Sequence, residues 1–287
     1  MKENILNTIG NTPLIKIGKI YAKLETVNPS GSIKDRMAKY MVEKAEEREE
    51  LKPGYTIIEA TSGNTGVSFA MISAIKGYKF IAVMPENVGK GKRKLMKILG
   101  AKLILTPEKE GYPRTIKKTA ELAKKYKKVW LPKQFENPDN IEAHRRGLGQ
   151  EILRKINKVD AFVAGIGTGG TLMGVAKALR TKSSKVKIIG VEAAESPHKI
   201  EGISDFSDKT EIIPKIVDFS LIDGIIKIKS EEAISMAKKL AKKYGLLVGI
   251  SSGANFFAAL KAKKRLGKNK NIVTILPDRA ERYPELW

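Results

Sequence analysis

The chain has 287 residues, 42% of them hydrophobic, and its 54 lysines and arginines outnumber its 31 aspartates and glutamates to give a formal net charge of +23. This length suffices for a large core, and no apolar stretch is long enough to span a membrane. Because the chain has no cysteine and two histidines, composition excludes a disulfide framework, a thiolate nucleophile and a cysteine metal site, and predicts no bound metal.

The positive charge is spread along the chain rather than gathered in one tail. Lysine pairs recur on predicted helix faces, as at 117–118, 124–125 and 238–239. This spacing is typical of a solvated lysine surface, so we expect no nucleic-acid partner. The first 14 residues include Asn, Gly and Pro where a signal peptide needs an apolar core, which favours a cytoplasmic protein without a membrane partner.

Strand-like apolar runs alternate with amphipathic helices along the chain. The predicted strands are 56–60, 79–84, 102–106, 129–131, 161–164, 187–191 and 272–276. Helices are predicted to begin at 35 and 67 and to cover 116–126 and 172–179. This alternation predicts an α/β fold with parallel strands.

The first motif with chemical content is segment 28–36, Asn-Pro-Ser-Gly-Ser-Ile-Lys-Asp-Arg. Pro29 and Gly31 predict a turn that leads into a helix from Asp35 and mounts Lys34 rigidly. A lysine can hold a carbonyl cofactor covalently if it is desolvated and fixed in position. Lys34 is therefore a candidate Schiff-base lysine; the alternative is one surface lysine among many.

The second motif is segment 61–66, Thr-Ser-Gly-Asn-Thr-Gly, between a predicted strand and a predicted helix. Hydroxyls, an amide and unpaired backbone N–H groups at a helix N-terminus suit an anion such as a substrate carboxylate. The alternative is an ordinary polar helix cap.

The third motif is segment 165–171, Gly-Ile-Gly-Thr-Gly-Gly-Thr, also at a strand-to-helix turn. Glycines allow the backbone to approach a phosphate closely, and threonines add donors. The segment also fits the dinucleotide pattern GxGxxG, with Glu192 as the acid that would bind a ribose, so an NAD-binding protein is the competing hypothesis. That hypothesis uses neither Lys34 nor the Asn64 loop, whereas a lysine-bound pyridoxal phosphate uses all three motifs.

With these motifs the chain resembles the cysteine synthase (O-acetylserine sulfhydrylase) and cystathionine β-synthase family, pyridoxal-phosphate enzymes of the tryptophan synthase β-subunit fold, fold type II. Further matching segments are 9–14, 84–86, 100–107, 134–138, 197–202, 249–254 and 277–283. The resemblance implies two three-layer α/β/α lobes with mostly parallel, twisted sheets. The smaller, mobile lobe would comprise 36–140 and the larger lobe 1–35 with 141–287, and the cofactor would lie in the cleft between them.

The resemblance also implies the roles of individual residues. Lys34 would hold the cofactor and carry the proton at Cα, Asn64 would bind the cofactor's phenolic oxygen, and Ser251 would face the pyridine nitrogen. The phosphate loop would consist of Gly167, Thr168, Gly169, Gly170 and Thr171. The substrate carboxylate would be bound by Thr61, Ser62, Asn64, Thr65 and Gln134.

The implied reaction is a β-replacement, and the resemblance also implies a homodimer. An activated serine would lose its β-substituent to leave an aminoacrylate intermediate, and sulfide would add to form L-cysteine. A hydroxyl at the pyridine nitrogen stabilises a pyridinium less than an aspartate would, which suits β-elimination.

Two departures from the family pattern leave the substrate open. Segment 146–151 reads Arg-Gly-Leu-Gly-Gln-Glu where Thr-Thr-Gly-Pro-Glu is usual, and 203–209 lacks the expected glycine-rich loop. Arg145, Arg146, His198 and Lys199 could favour a phosphate leaving group, so O-phosphoserine stands beside O-acetylserine as donor. The alternatives are homocysteine in place of sulfide, a serine or threonine dehydratase, or a paralogue that binds the cofactor or NAD without turnover.

Overall fold

The computed structural model describes residues 4–61, 63–208 and 212–284 as a mixed α/β structure, which confirms the predicted fold class. The strands are β1 (Leu14–Ile17), β2 (Ile20–Leu24), β3 (Thr56–Ala60), β4 (Lys79–Pro85), β5 (Lys102–Thr106), β6 (Val129–Trp130), β7 (Ala161–Gly165), β8 (Lys187–Ala193), β9 (Gly224–Ile228) and β10 (Ile272–Leu276). The helices are α1 (Lys34–Glu47), α2 (Asn64–Lys76), α3 (Lys90–Ile98), α4 (Gly111–Ala123), α5 (Asp139–His144), α6 (Gln150–Lys155), α7 (Gly170–Arg180), α8 (Ser230–Tyr244) and α9 (Ile250–Leu266).

The strands form two sheets. One has four parallel strands in the order β5-β4-β3-β6. The other has six strands in the order β1-β2-β10-β7-β8-β9, parallel throughout except that β1 runs antiparallel to β2. Helices cover the parallel strands on both faces, which explains why β3 and β10 are buried along their whole length.

All seven predicted strands are present, and the described residues contain three further strands that were not predicted. β1 and β2 form a short hairpin across Gly18, and β9 contains a glycine and a lysine, so none of the three has the continuous apolar run of a central strand. The helix predicted at 116–126 begins five residues earlier, at Gly111, and ends at Ala123. Within the described residues, no helix is both long and apolar enough to cross a membrane.

A π-helical turn, Arg145–Gly149, joins α5 to α6, so that the chain is helical from Asp139 to Lys155. Small residues allow this helix to pack closely on α7. A Cβ on Gly149 would lie 2.4 Å from Ala178 Cβ, and one on Gly174 would lie 2.4 Å from the Ile141 carbonyl oxygen. The π turn therefore lies in a closely packed interface between helices. Such π-helical turns are often found at functional sites.

The carboxyl ends of β3 and β7 carry the two polar loops predicted from sequence. β3 leads through Thr61 into α2, and β7 leads through 166–169 into α7. In parallel sheets, ligands bind at the carboxyl ends of strands, where the following helices present their N-termini. The two sheets thus bring the second and third motifs to positions that border shared cavities.

Candidate active site

Lys34 is the first residue of α1 and is tied to the C-terminal part of the chain. The Ile33 backbone N–H donates to the Pro277 carbonyl oxygen at 2.8 Å, and Ser32 forms a β-bridge with Asp278. These contacts hold the start of α1 against the end of β10. The sequence-predicted mount for Lys34 is therefore completed by residues more than two hundred positions away.

The environment of Lys34 increases the fraction of its amine that is neutral. Burial lowers the pKa of Lys34 to about 8, and the negative charge of Asp278 opposes the shift. An amine with this pKa is partly unprotonated near neutral pH. It can act as a nucleophile toward a carbonyl and as a base.

Asp35 fixes the turn before α1. Its carboxylate accepts from the Ser30 backbone N–H at 2.7 Å and from the Ser68 hydroxyl of α2 at 2.6 Å. Burial raises the pKa of Asp35, and these hydrogen bonds oppose the rise. Gly31 in this turn has φ of +87°, a left-handed conformation that glycine adopts without steric cost. The Lys34 loop is thereby joined to the helix that follows the second motif.

The second motif forms a capped helix start. Thr61 Oγ1 accepts from the backbone N–H groups of Gly63 at 3.1 Å and Gly66 at 3.0 Å. Thr65 Oγ1 donates to Gln134 Oε1 at 2.7 Å, which brings together two of the residues predicted to bind a carboxylate. Ser62 lies outside the described residues.

Gln134 is held by a network that sequence reasoning missed. Glu59 accepts from the backbone N–H groups of Lys133 at 2.9 Å and Gln134 at 3.2 Å, and Lys133 has φ of +53°. Tyr112 Oη and Gln134 Nε2 donate to the Ala60 carbonyl oxygen at 2.6 and 3.0 Å. Burial raises the pKa of Glu59 to about 8, against the effect of its two backbone donors.

The third motif forms a cup that requires glycine. A Cβ on Gly167 would lie 2.3 Å from the Gly202 carbonyl oxygen, and one on Gly170 would lie 2.0 Å from Asn140 Oδ1. Gly169 has φ of +83°. The loop can therefore pack closely against Gly202 and Asn140. Helix α7 begins at the cup, where the Gly170 backbone N–H donates to Thr168 Oγ1 at 3.4 Å.

The two threonines of the cup are oriented by neighbours from α5. Asn140 Nδ2 donates to Thr168 Oγ1 at 3.1 Å, and Thr171 Oγ1 lies 3.3 Å from His144 Nε2. Burial, with the charges of Arg36 and Lys34, lowers the pKa of His144 well below its usual range, so its ring is neutral. His144 and Asn140 were not predicted, since nothing in the local sequence relates them to the cup.

Two adjoining cavities, of about 380 and 50 Å³, bring most of the predicted residues together. Both are lined by Lys34, Gly167, Thr168, Glu201, Gly202 and Ile203. The larger is also bordered by Thr65, Tyr112 and Gln134, and the smaller by Asn64, Gly169, Thr171 and Ser251. Thr61 is fully buried behind this lining, and Gly170 begins α7.

The basic residues considered for a phosphate leaving group occupy different places. His198 lines the larger cavity, whereas Arg145 and Arg146 pair with Glu142 at 2.7 and 3.0 Å. The Lys199 backbone N–H donates to Ser230 Oγ.

The sequence analysis predicted no acidic residue on the walls of these cavities. Glu201 lines both cavities and pairs with Lys92, which is 1% exposed and lies 4.3 Å from the centre of the Tyr283 ring. Glu192, the acid of the dinucleotide hypothesis, lies in β8 with Lys227 3.9 Å away. Within the described ranges, no group of three acidic or histidine side chains is placed to hold a metal ion.

Comparison with known proteins identifies the family. A family model described as pyridoxal-phosphate dependent enzyme matches residues 5–278. The chain belongs to this family of pyridoxal-phosphate dependent enzymes. The expected family resemblance and the expected cofactor are thereby confirmed.

Sequence relatives in the family are named cysteine synthases. The chain is 42% identical to cysteine synthase of Staphylococcus aureus over 300 residues, which cover 98% of this chain and 95% of the relative. It is 45% identical to cysteine synthase B of Campylobacter jejuni over 295 residues, covering 98% and 96% of the two chains.

Solved structures of the family superpose closely. The O-acetylserine dependent cystathionine β-synthase of Helicobacter pylori matches with a TM-score of 0.92 at 40% identity, covering 99% of this chain and 98% of that one. Cysteine synthase of Entamoeba histolytica matches with 0.92 at 37%, covering 100% and 92%. A hydrogen sulfide-producing enzyme of Fusobacterium nucleatum matches with 0.93 at 40%, covering 99% and 100%.

The residues on the cavity walls fit the family's cofactor. A lysine whose pKa is lowered to about 8 suits a covalent bond to an aldehyde. Gly167 and Gly169 line the smaller cavity without side chains, so their backbone is open to a close-fitting phosphate. Both features border the same small cavity as Asn64 and Ser251.

Proposed function

We propose that the chain catalyses pyridoxal-phosphate dependent β-replacement, forming L-cysteine from an activated serine and sulfide. The observation that carries this proposal is the position of Lys34, which borders both the glycine cup and the cavity that contains Thr65 and Gln134. A covalent cofactor and an amino-acid carboxylate can thus be bound on opposite sides of one amine.

Lys34 supplies the acid and base chemistry in this proposal. Bound pyridoxal phosphate would supply an aldehyde for covalent attachment and an electron-withdrawing ring that acidifies the substrate's α-proton. The neutral Lys34 amine removes that proton from Cα as the β-substituent departs, and returns it after sulfide has added. Its pKa of about 8 allows it both to accept and to release a proton near neutral pH.

Residues at the start of α2 orient the substrate. The carboxylate is bound by the backbone N–H groups of Asn64 and Thr65, by the Thr65 hydroxyl and by the amide of Gln134, with Thr61 and Ser62 in the same loop. Glu59 supports this arrangement, because it fixes the backbone of Gln134 from behind the cavity.

The cofactor's remaining groups are assigned to residues of the smaller cavity. Its phosphate is held by Gly167, Thr168, Gly169, Gly170 and Thr171. Asn64 donates to its phenolic oxygen, and Ser251, at the N-terminus of α9, faces the pyridine nitrogen. Ser251 is 5% exposed and lies on the wall of this cavity, which supports the last assignment.

O-acetylserine is proposed as the donor in preference to O-phosphoserine. Glu201 places a carboxylate on the wall of both cavities, and Lys92, which could neutralise a phosphate, is already paired with it. Arg145 and Arg146 are engaged with Glu142. A neutral ester therefore fits the charges of the cavity better than a dianion.

Condensation with homocysteine is a second candidate function, and Glu201 is also the observation that favours it. A thiol amino acid carries an ammonium group that sulfide lacks, and a carboxylate on the cavity wall can accept its hydrogen bonds. The Helicobacter pylori relative, a cystathionine β-synthase by name, supports including this candidate.

The proposal includes the arrangement of the whole protein. Two lobes, 36–140 and 1–35 with 141–287, are supported by the sheets, since β3 to β6 all lie in the first and the remaining strands in the second. We propose that substrate binding closes the smaller lobe, and that the enzyme is a cytoplasmic homodimer. Limited proteolysis with and without a substrate analogue tests closure, and light scattering tests the dimer.

The function is tested by mixing the purified protein, loaded with pyridoxal phosphate, with O-acetylserine and sulfide and measuring cysteine. O-phosphoserine replaces the donor, and homocysteine replaces sulfide, in parallel reactions. Cysteine should form fastest from O-acetylserine, and Lys34→Ala should abolish its formation while the fold is retained. Pyruvate and ammonia released without sulfide, with no cysteine in its presence, would instead identify a dehydratase.

A further inference from the structure

The amide of Asn64 is held at both ends by residues of the C-terminal segment 277–283. Asn64 Nδ2 donates to Asp278 Oδ2 at 2.6 Å, and Asn64 Oδ1 accepts from Arg282 Nη1 at 2.7 Å. A carboxylate can only accept hydrogen bonds and a guanidinium can only donate them, so the two partners determine which end of the amide is nitrogen. One N–H of Nδ2 then remains for the cavity that Asn64 lines.

Asp278 is itself fixed in place. It is fully buried, Tyr283 Oη donates to its Oδ2 at 2.5 Å, and the Gly249 backbone N–H donates to its carbonyl oxygen at 2.9 Å. A Cβ on Gly249 would lie 2.1 Å from Asp278 Oδ1, so the carboxylate occupies space that glycine leaves open. Arg282 is also anchored, since it donates to the Ser30 carbonyl oxygen.

The second carboxylate oxygen of Asp278 indicates that fold stability alone does not explain this residue. Asp278 Oδ1 is buried and accepts no hydrogen bond from the described residues. A buried acceptor without a donor costs stability, so packing alone does not favour an aspartate here. The Asn64 amide and the nearby amine of Lys34 are the groups toward which its charge acts.

We propose that Asp278, together with Arg282, is a positioning residue that orients the Asn64 amide so that an N–H faces the cofactor's phenolic oxygen. This inference rests on the proposed function, in which Asn64 donates to that oxygen. With the amide flipped, its carbonyl oxygen would face another acceptor and repel it. The segment 277–283 thus acts on cofactor binding through Asn64 and need not touch the cofactor.

A double-mutant cycle tests the proposal without measuring turnover. The affinity of the apoprotein for pyridoxal phosphate is measured by titration in visible absorption, for Asp278→Asn in the wild-type and in the Asn64→Ala background. Loss of a charge-assisted hydrogen bond predicts about 10-fold weaker binding in the wild-type background. In the Asn64→Ala background the same change should alter affinity less than about 2-fold, because the positioned group is gone and only the effect of the Asp278 charge on Lys34 remains.

Controls separate positioning from a general structural effect. Asp160→Asn removes a carboxylate that lines neither cavity and accepts from the Asn271 backbone N–H at 2.8 Å, so it should leave affinity unchanged. If Asp278→Asn fails to fold by circular dichroism, Tyr283→Phe takes its place in the cycle. That variant removes one donor from Asp278 Oδ2 and should weaken binding about 3-fold, again only while Asn64 is present.

The outcomes are distinct. Equal weakening in both backgrounds, or none in the wild-type background, would overturn the positioning role. A wild-type protein that binds no pyridoxal phosphate, or that borohydride labels at a lysine other than Lys34, would instead overturn the proposed function.

Discussion

Replacing Glu151 with glutamine should weaken the fold near Lys34, because Glu151 belongs to a buried ion network at the start of α1. Its Oε1 accepts from Arg36 Nη1 at 2.6 Å and its Oε2 from Lys23 Nζ at 2.5 Å. Arg36 also pairs with Glu25, which is fully buried. Two acids and two bases thus neutralise one another, and Glu151→Gln leaves one positive charge in excess.

The size of the effect follows from the charges. Burial alone would raise the pKa of Glu151, but Arg36 and Lys23 outweigh it and lower that pKa from 4.5 to about 2. A shift of this size corresponds to about 3 kcal/mol of stability at pH 7, or about 2–3 kcal/mol after allowance for partial contact with water. Breaking a buried pair by removing one partner costs about 3–5 kcal/mol. We therefore expect Glu151→Gln to lower the free energy of unfolding by about 3 kcal/mol.

The sign of the pH dependence provides a second check. Because the folded-state pKa is below the unfolded value, the stabilisation is present above pH 4.5 and is lost as the pH falls toward 2. Urea unfolding at pH 7 and pH 3.5 should show a smaller difference between wild type and Glu151→Gln in acid. Glu47→Gln, an exposed partner of Lys44, is the control and should change stability by less than about 0.5 kcal/mol. Equal stability of Glu151→Gln and wild type at pH 7 would refute the reasoning.

Three further predictions concern the cavities. The rate at which the apoprotein binds pyridoxal phosphate, measured by visible absorption, should increase as the pH rises toward about 8 and level off above it, because burial lowers the pKa of Lys34 to about 8. A rate that still increases up to about pH 10.5 would indicate an ordinary lysine. Gly170→Ala should weaken cofactor binding at least about 10-fold, because its Cβ would lie 2.0 Å from a neighbouring side-chain oxygen. The control Gly91→Ala, whose Cβ would have nothing within 4 Å, should bind the cofactor normally and stabilise α3 by about 0.5–1 kcal/mol in thermal unfolding. Equal affinities of the two variants would contradict the role of the cup. Glu59→Gln, assayed above pH 8 where the Glu59 carboxylate is ionised, should raise KM for the amino-acid donor about 10-fold and change kcat less, because one backbone N–H behind Gln134 loses its acceptor. A fall in kcat with unchanged KM would argue against this support.

Local sequence was sufficient wherever neighbouring residues perform one task. The apolar runs predicted seven of the ten strands found in the described part of the chain, because buried parallel strands need continuous apolar surface. The three missed strands lie at the outer part of the six-stranded sheet or pair with an edge, where that requirement is relaxed. The glycine cup and the Lys34 loop were also predicted, because each is formed by consecutive residues in a turn that leads into a helix.

The sequence by itself thus determined the fold class, the family and the positions of the three motifs between strands and helices. Only the tertiary structure decided how those motifs are held. Asn64 meets Asp278 across 214 residues of chain, Arg36 meets Glu151 across 115, and Lys133 meets Glu59 across 74. Such pairs leave no periodicity or spacing in the sequence, because their energy comes from burial and charge that exist only after the two sheets have packed their helices together.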